Sequence, residues 1–517
     1  MLLSLLCLTL FGSTLSSPPL ILTPLLEQNR TEEARNASAV DPNYFLQTKS
    51  YTGFLSVEDD SNLFFWYFPV SGTNVPWVLW LQDEVGMTSL EGLFSQIGPF
   101  YFVRNDTRFV PIKERNSLKE REYSWNKQFS MVFLENCAGA GFSFGNDLTR
   151  TKESLSTHLL RAVQQLVQIY PELSTAPLYI AGEGYAGHFI PDLALKIHEA
   201  KNDSATINLQ GLILGHPVLN AESIQDYISV FLGFGLIDSQ GAIAAKPLQD
   251  KYLQEINVDR SSSNAFSFRA ELIDYLKKIS GKTQSFNAFK EYTDNDYNNT
   301  FFDYLTDDDV RNSIHVGDIK FSLQNYAGLI YMKDDFLANV TVTVEKLLEH
   351  YRILIYCGHL SLSIPCVPLA NHIRKTWHWN KRDDFLNAPR VPWWFNDNIA
   401  GYIKSGGNLM EVLITNTGDL ISVDKPAELL HVVTNFIKKT EQYFIFPPSF
   451  LTKDIVSVPY VEAVKIEPTS YKTGLTISAI INVILIAVVL LFGIFLIRYR
   501  RNLKLFRPVN EADINMR

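Results

Sequence analysis

Short apolar runs bounded by polar residues recur along the chain, separated by stretches in which apolar positions return every three or four residues. The runs Trp77 to Leu81, Met131 to Leu134, Leu178 to Ala181, Leu212 to Leu214, Ile353 to Tyr356 and Val412 to Ile414 predict buried strands. Between Lys152 and Tyr170, Leu155, Leu159, Val163 and Leu166 fall on one helical face, and Pro171 stops the pattern. A further helix is predicted from about Tyr185 to Ala200, directly after a glycine-rich turn. Strands alternating with helices of this length predict an α/β class fold, with a mostly parallel central sheet and helices on both faces. From 222 to 345 the pattern is more polar and helical, which predicts a helical insertion or cap. No internal repeat or low-complexity tract interrupts the alternation.

Two apolar segments stand outside this pattern. Residues 1–16 hold a short apolar run ahead of small residues, the form of a secretory signal peptide. Leu475 to Ile497 is uncharged and long enough to form a transmembrane helix. Arg498, Arg500, Arg501, Lys504 and Arg507 follow at once, which puts the tail, 498–517, on the cytoplasmic side. Residues 446–474, with Pro447, Pro448, Pro459 and Pro468, read as a stalk. The expectation is a single-pass type I membrane protein whose main domain is lumenal or extracellular, in the secretory pathway, an endolysosome or at the cell surface. Six N-x-S/T sequons, at Asn29, Asn36, Asn105, Asn202, Asn298 and Asn339, lie between the two segments and none lies in the tail.

Composition narrows the class further. With 46 basic and 55 acidic residues the formal net charge is −9, which argues against a nucleic-acid partner held by phosphate contacts. Cys7 leaves with the signal peptide, so the mature chain keeps Cys137, Cys357 and Cys366. Three thiols allow at most one disulfide, with the pairing open and one cysteine left over. No spacing suggests a metal site, and no motif suggests a cofactor.

The glycine-rich turn reads Gly182-Glu183-Gly184-Tyr185-Ala186-Gly187, between a predicted strand and a predicted helix. That is the setting of a nucleophile elbow, G-x-S-x-G, in which a sharp turn lifts a serine above the sheet. Here the chain resembles the serine carboxypeptidases, an α/β-hydrolase family whose elbow reads G-E-S-Y-A-G. It is most similar to the vitellogenic-like branch, which carries W-L-Q before its oxyanion loop, as Trp80-Leu81-Gln82 does here. Glu135-Asn136 through Gly141-Phe142-Ser143, and Gly233 to Asp238, also follow family segments. The resemblance runs from about Tyr44 to Ile437 and implies one α/β-hydrolase domain over 44–445, carrying the 222–345 insertion.

Each catalytic position that the resemblance implies holds the wrong chemistry. The nucleophile position is Gly184. The family aspartate, in a segment like Y-N-G-Q-L-D, falls on Ser361 of Tyr356-Cys357-Gly358-His359-Leu360-Ser361. The family histidine falls on Asp419, in a register fixed by Asp424 and Pro426. The oxyanion loop, G-G-P-G in the family, reads Asp83-Glu84-Val85-Gly86. His188, His359 and Ser89 lie near these positions, and a triad relocated onto them is weighed below a catalytically inactive homologue. Gln82 and Glu183 match family residues that hold a substrate's C-terminal carboxylate, and the Tyr185 N–H matches an oxyanion donor. The resemblance therefore implies a pseudoenzyme that binds a peptide or protein ligand, or acts as a structural membrane protein. The alternative is an active serine-type carboxypeptidase, releasing C-terminal amino acids with an unrecognised nucleophile. Asp83, Glu84 and Asp419 would make an acidic mouth suited to a cationic ligand, or are freed positions that drifted.

Overall fold

The computed structural model describes residues 17–104, 116–145, 151–200, 207–258, 263–293, 301–326, 335 and 338–440. The chain divides into two compact units, Met1–Val458 and Pro459–Arg517, and every described residue lies in the first. The signal segment, stalk, transmembrane segment and tail, with Asn105, Asn202 and Asn298, lie outside the described residues. Among the described residues no helix is long and apolar enough to cross a membrane.

Strands β1 (Tyr51–Glu58), β2 (Ser61–Phe68), β3 (Trp77–Leu81), β4 (Phe100–Arg104), β5 (Asn116–Glu120), β6 (Ser130–Leu134) and β7 (Phe144–Gly145) precede the first long helix. Strands β8 (Leu178–Glu183), β9 (Leu209–Gly215), β10 (Arg352–Gly358), β11 (Arg390–Phe395), β12 (Asn398–Gly406) and β13 (Leu409–Ile414) follow. All but β4 and β5 join one sheet of 11 strands, ordered β1-β2-β6-β3-β8-β9-β10-β13-β12-β11 with β7 on β2. The strands expected from the apolar runs are its centre, and each neighbouring pair from β6 to β13 is parallel. Antiparallel strands flank them on both sides.

The longer helices are α1 (Lys152–Ile169), α2 (Ala186–Glu199), α3 (Tyr227–Gly233), α4 (Ser239–Val258), α5 (Ser263–Ser280), α6 (Thr341–Leu348), α7 (Cys366–Thr376) and α8 (Pro426–Lys438). Helix α1 ends where expected, and Pro171 opens a separate short helix, Pro171–Thr175, because proline suits a first helical turn. Both sheet faces are covered. Tyr179, Ala181, Ile213, Leu354 and Val412 share one core with Leu429, Val432, Val433 and Phe436 of α8. On the opposite face a methyl placed on Gly182 would meet Ala186 and Ile190 of α2. Continuous apolar runs follow from this burial on both faces, since neither side of a central strand meets water. Cys357 and Cys366 form a disulfide that ties the end of β10 to the start of α7, and Cys137 is buried outside that disulfide.

Candidate functional site

The carboxyl ends of β3, β8 and β10 converge on one floor. At the end of β8 the chain reverses through Gly184, at φ +56°, and enters α2. Two backbone bonds pin the turn: Gly184 N–H donates to Gly215 O at 2.9 Å, and Val218 N–H donates to Gly184 O at 2.9 Å. This is the strand–turn–helix geometry of a nucleophile elbow.

The space above Gly184 is already filled. A Cβ built there would lie 1.9 Å from Asp83 Oδ1 and 2.3 Å from its Cγ. The same Oδ1 accepts the Tyr185 N–H at 2.5 Å, at the positive end of α2 where an oxygen acceptor is favoured. The donor expected for an oxyanion is thus given to a side chain of the protein itself. Burial, then the neighbouring Glu84, pushes the Asp83 carboxyl well above the usual carboxylate range, against the pull of the Tyr185 N–H.

The loop that carries Asp83 is held from two sides. Asn136 Nδ2 donates to Glu84 O at 2.9 Å, and Gly86 N–H donates to Asn136 Oδ1 at 3.0 Å. Buried Glu135 accepts from Thr88 Oγ1 at 2.6 Å and from Ser89 N–H at 2.8 Å, and burial pushes it up to about 7. Above, Asn325 N–H donates to Gly86 O at 2.7 Å and Gln324 Nε2 donates to Glu84 Oε2 at 2.9 Å. Residues 321–325 of the insertion therefore form a strap over the loop. Burial raises Glu84 as well, partly offset by Gln324 and by the charge of Arg269.

Ser361 and Asp419 are brought together. The Ser363 hydroxyl donates to Asp419 Oδ2, and Ser361 also favours the ionised carboxylate. Burial nevertheless dominates and holds Asp419 at about 7. Its backbone N–H donates to Phe286 O at 2.8 Å, and Asp424 anchors that loop by accepting from Lys290 at 2.9 Å and from Tyr292 at 2.5 Å.

The residues expected to bind a ligand are near-buried and partly engaged. Gln82 Oε1 accepts from Trp80 Nε1 at 2.8 Å, and Glu183 Oε1 accepts from Tyr356 OH at 2.9 Å. Burial pushes Glu183 up to about 7, with Asp419 and Glu91 adding repulsion. A carboxyl titrating there keeps its proton in mild acid and can donate to an anionic group.

The three residues weighed for a relocated triad are dispersed. Ser89 is buried and donates to Leu134 O at 2.6 Å. His188 is fully buried, stacks on Tyr185 with ring centroids 4.7 Å apart, and has no hydrogen-bond partner on either ring nitrogen among the described residues. Burial, with Lys152 nearby, lowers its pKa to about 3, so it is a neutral ring and a poor base. His359 packs against Phe234 and lines a different groove.

Arg269 was not visible from the sequence. Helix α5 carries its guanidinium into the site, where Nε donates to Tyr227 OH at 2.6 Å and Nη2 to Ser363 O at 2.9 Å. Its charge favours the ionised forms of Glu84 and Asp419. No local pattern marks a single arginine on an amphipathic helix of a polar insertion.

Residues 41–439 match the serine carboxypeptidase family. The chain is 33% identical over 436 residues to a venom serine carboxypeptidase of Apis mellifera, covering 81% of this chain and 90% of the relative. It is 32% identical over 443 residues to a vitellogenic carboxypeptidase of Aedes aegypti, covering 82% and 91%. Among solved structures it resembles the Saccharomyces cerevisiae prohormone-processing carboxypeptidase Kex1Δp, with a TM-score of 0.67 at 17% identity, over 80% of this chain and 98% of that one. That likeness, with the mixed sheet, makes the fold an α/β-hydrolase fold.

Proposed function

The chain belongs to the serine carboxypeptidase family, and on that premise we propose that it is a catalytically silent member whose lumenal or extracellular domain binds a peptide or protein ligand. In this reading one C-terminal helix tethers the domain to the membrane. The observation that carries the proposal is the Asp83 carboxyl, which stands over Gly184 and takes the Tyr185 N–H.

Three deficits reinforce one another. Gly184 has no atom to attack a carbonyl, and losing a triad nucleophile costs on the order of a million-fold in turnover. An oxyanion donor given to Asp83 is lost to a transition state, worth roughly 100- to 1,000-fold. Asp419, where a histidine would stand, has no second nitrogen with which to pass a proton from nucleophile to leaving amine. These losses are not additive, and the first is sufficient. Gln82 and Glu183 support retained binding, since Glu183 in its protonated form can donate to a peptide C-terminal carboxylate.

The test uses the full-length chain in membranes, with blocked dipeptides and a serine-reactive phosphonate, from acid to neutral pH. No turnover and no labelling are expected, together with saturable binding of peptides that end in a free carboxylate. Labelling of the natural chain would overturn the silent reading. Ser363 is the hydroxyl to suspect first, because it donates to Asp419, and Ser363→Ala would then abolish the label.

A further inference from the structure

A groove of about 860 Å³ opens beside the β10–α7 loop, between α3, α6 and α7. Ser361 lines it, whereas Gly184, Glu183 and Asp419 do not, so it is distinct from the floor that carries the degenerate elbow. Asn339 stands on its wall, immediately before α6, in the sequon Asn339-Val340-Thr341. The side chain is exposed but not loose. Its Oδ1 accepts the Thr341 N–H at 2.9 Å, which fixes the amide and commits its oxygen, leaving Nδ2 as the atom that would carry a sugar. Thr341 is itself buried, its hydroxyl accepting from Asn220 Nδ2 at 2.9 Å.

We propose that this groove is the seat of an N-linked glycan on Asn339, whose first sugars lie along the channel between α6 and α7. A pyranose ring presents hydroxyls at its rim and C–H groups on its faces. The groove offers both kinds of partner. Asp226, Asn371 and Lys375 supply polar groups for the rim, and Phe234 supplies an aromatic surface for a ring face. Val342 and Val367 stand on the two lips at 57% and 56% exposure, apolar surface that a ring face would cover. A glycan is favoured over a free ligand because it is tethered at the wall. Attachment makes its binding intramolecular, at an effective concentration of the order of millimolar, so contacts too weak for a free sugar hold it. The proposal rests on the lumenal or extracellular placement of the domain, since only there is the sequon used.

The experiment takes the full-length chain from secreting animal cells and maps glycopeptides by mass spectrometry. The native protein is then treated with an amide-cleaving glycosidase. Asn29 and Asn36, both exposed, are the internal standards. The Asn339 glycan is expected to be released several-fold more slowly than theirs. Val367→Arg with Asn371→Ala, both exposed positions whose change leaves the core intact, is expected to abolish that difference. Asn339 found bare while Asn29 and Asn36 are occupied would overturn the groove proposal alone, as would release at equal rates. All three found bare would overturn the placement of the domain as well.

Discussion

At position 184 the missing side chain and the carboxyl of Asp83 are a single feature, because the two compete for one volume. Gly184→Ser alone would place Cβ against Asp83 Oδ1 at a left-handed backbone conformation. It is expected to lower stability by about 2 kcal/mol in urea unfolding and to give no phosphonate label. Asp83→Gly in the same background is expected to recover the part of that loss due to the clash, while the left-handed backbone strain remains. Labelling at 184 is then expected only when Ser361→Asp and Asp419→His are added. A stable, labelled Gly184→Ser single variant would contradict this account. The sequence pointed to Gly184, Ser361 and Asp419 through the segments around each, with Asp424 and Pro426 fixing the register of Asp419. The role of Asp83 was not legible, since a substituted loop residue reveals its charge but not the direction of its side chain.

Among the elements, the 282–293 loop draws its side-chain bonds to the neighbouring 417–424 segment from one residue. Asp424 has only 8% of its side chain exposed and holds Lys290, Tyr292 and, at 3.2 Å, Thr417. Asp424→Ala removes the acceptor common to all three, a half-exposed lysine and two hydroxyls, and is expected to cost about 2 kcal/mol. Limited proteolysis within 282–293 should accelerate in parallel, and an unchanged cleavage rate would show that the loop is held elsewhere. The parallel strands were legible because burial on both faces leaves continuous apolar runs. The flanking antiparallel strands were not. Strand β11 carries Pro392, which speaks against a strand from sequence and is tolerated here because β11 ends the sheet. Strand β2 is buried along its whole length, and its continuous run from Leu63 to Phe68 carries no polar alternation to mark it as antiparallel.

Over the whole molecule, buried titratable groups set opposing slopes of stability with pH. Glu135, Glu183 and Asp419 are pushed up to about 7 by burial, and Asp83 and Glu84 are also raised. The folded state therefore holds more protons than the unfolded chain from about pH 4.5 to 7, and these groups make stability fall as pH rises through that window. Burial lowers His188 to about 3 and His216 and His315 to about 4, from an ordinary value of 6.5. They make stability fall as pH drops below 6.5. The two sets oppose each other in mild acid, and above the histidine range only the carboxyl slope remains. The unfolding temperature is expected to be nearly flat from about pH 5 to 6.5 and to fall towards about pH 8. Glu183→Gln is expected to shrink that fall and His188→Phe to raise the acid side. An unfolding temperature that climbs from neutral to alkaline pH would be incompatible with these buried acids.

The carboxyl over Gly184 also bears on history. A serine arriving there by a single codon change would meet an occupied site, so the protein carrying it would be weakened without gaining a reaction. Position 83 would have to change first, and that step alone confers no activity for selection to favour. On the reading proposed above, hydrolysis would return only through changes at 83 and 184 made together, so a use built on recognition is the shorter path from this arrangement.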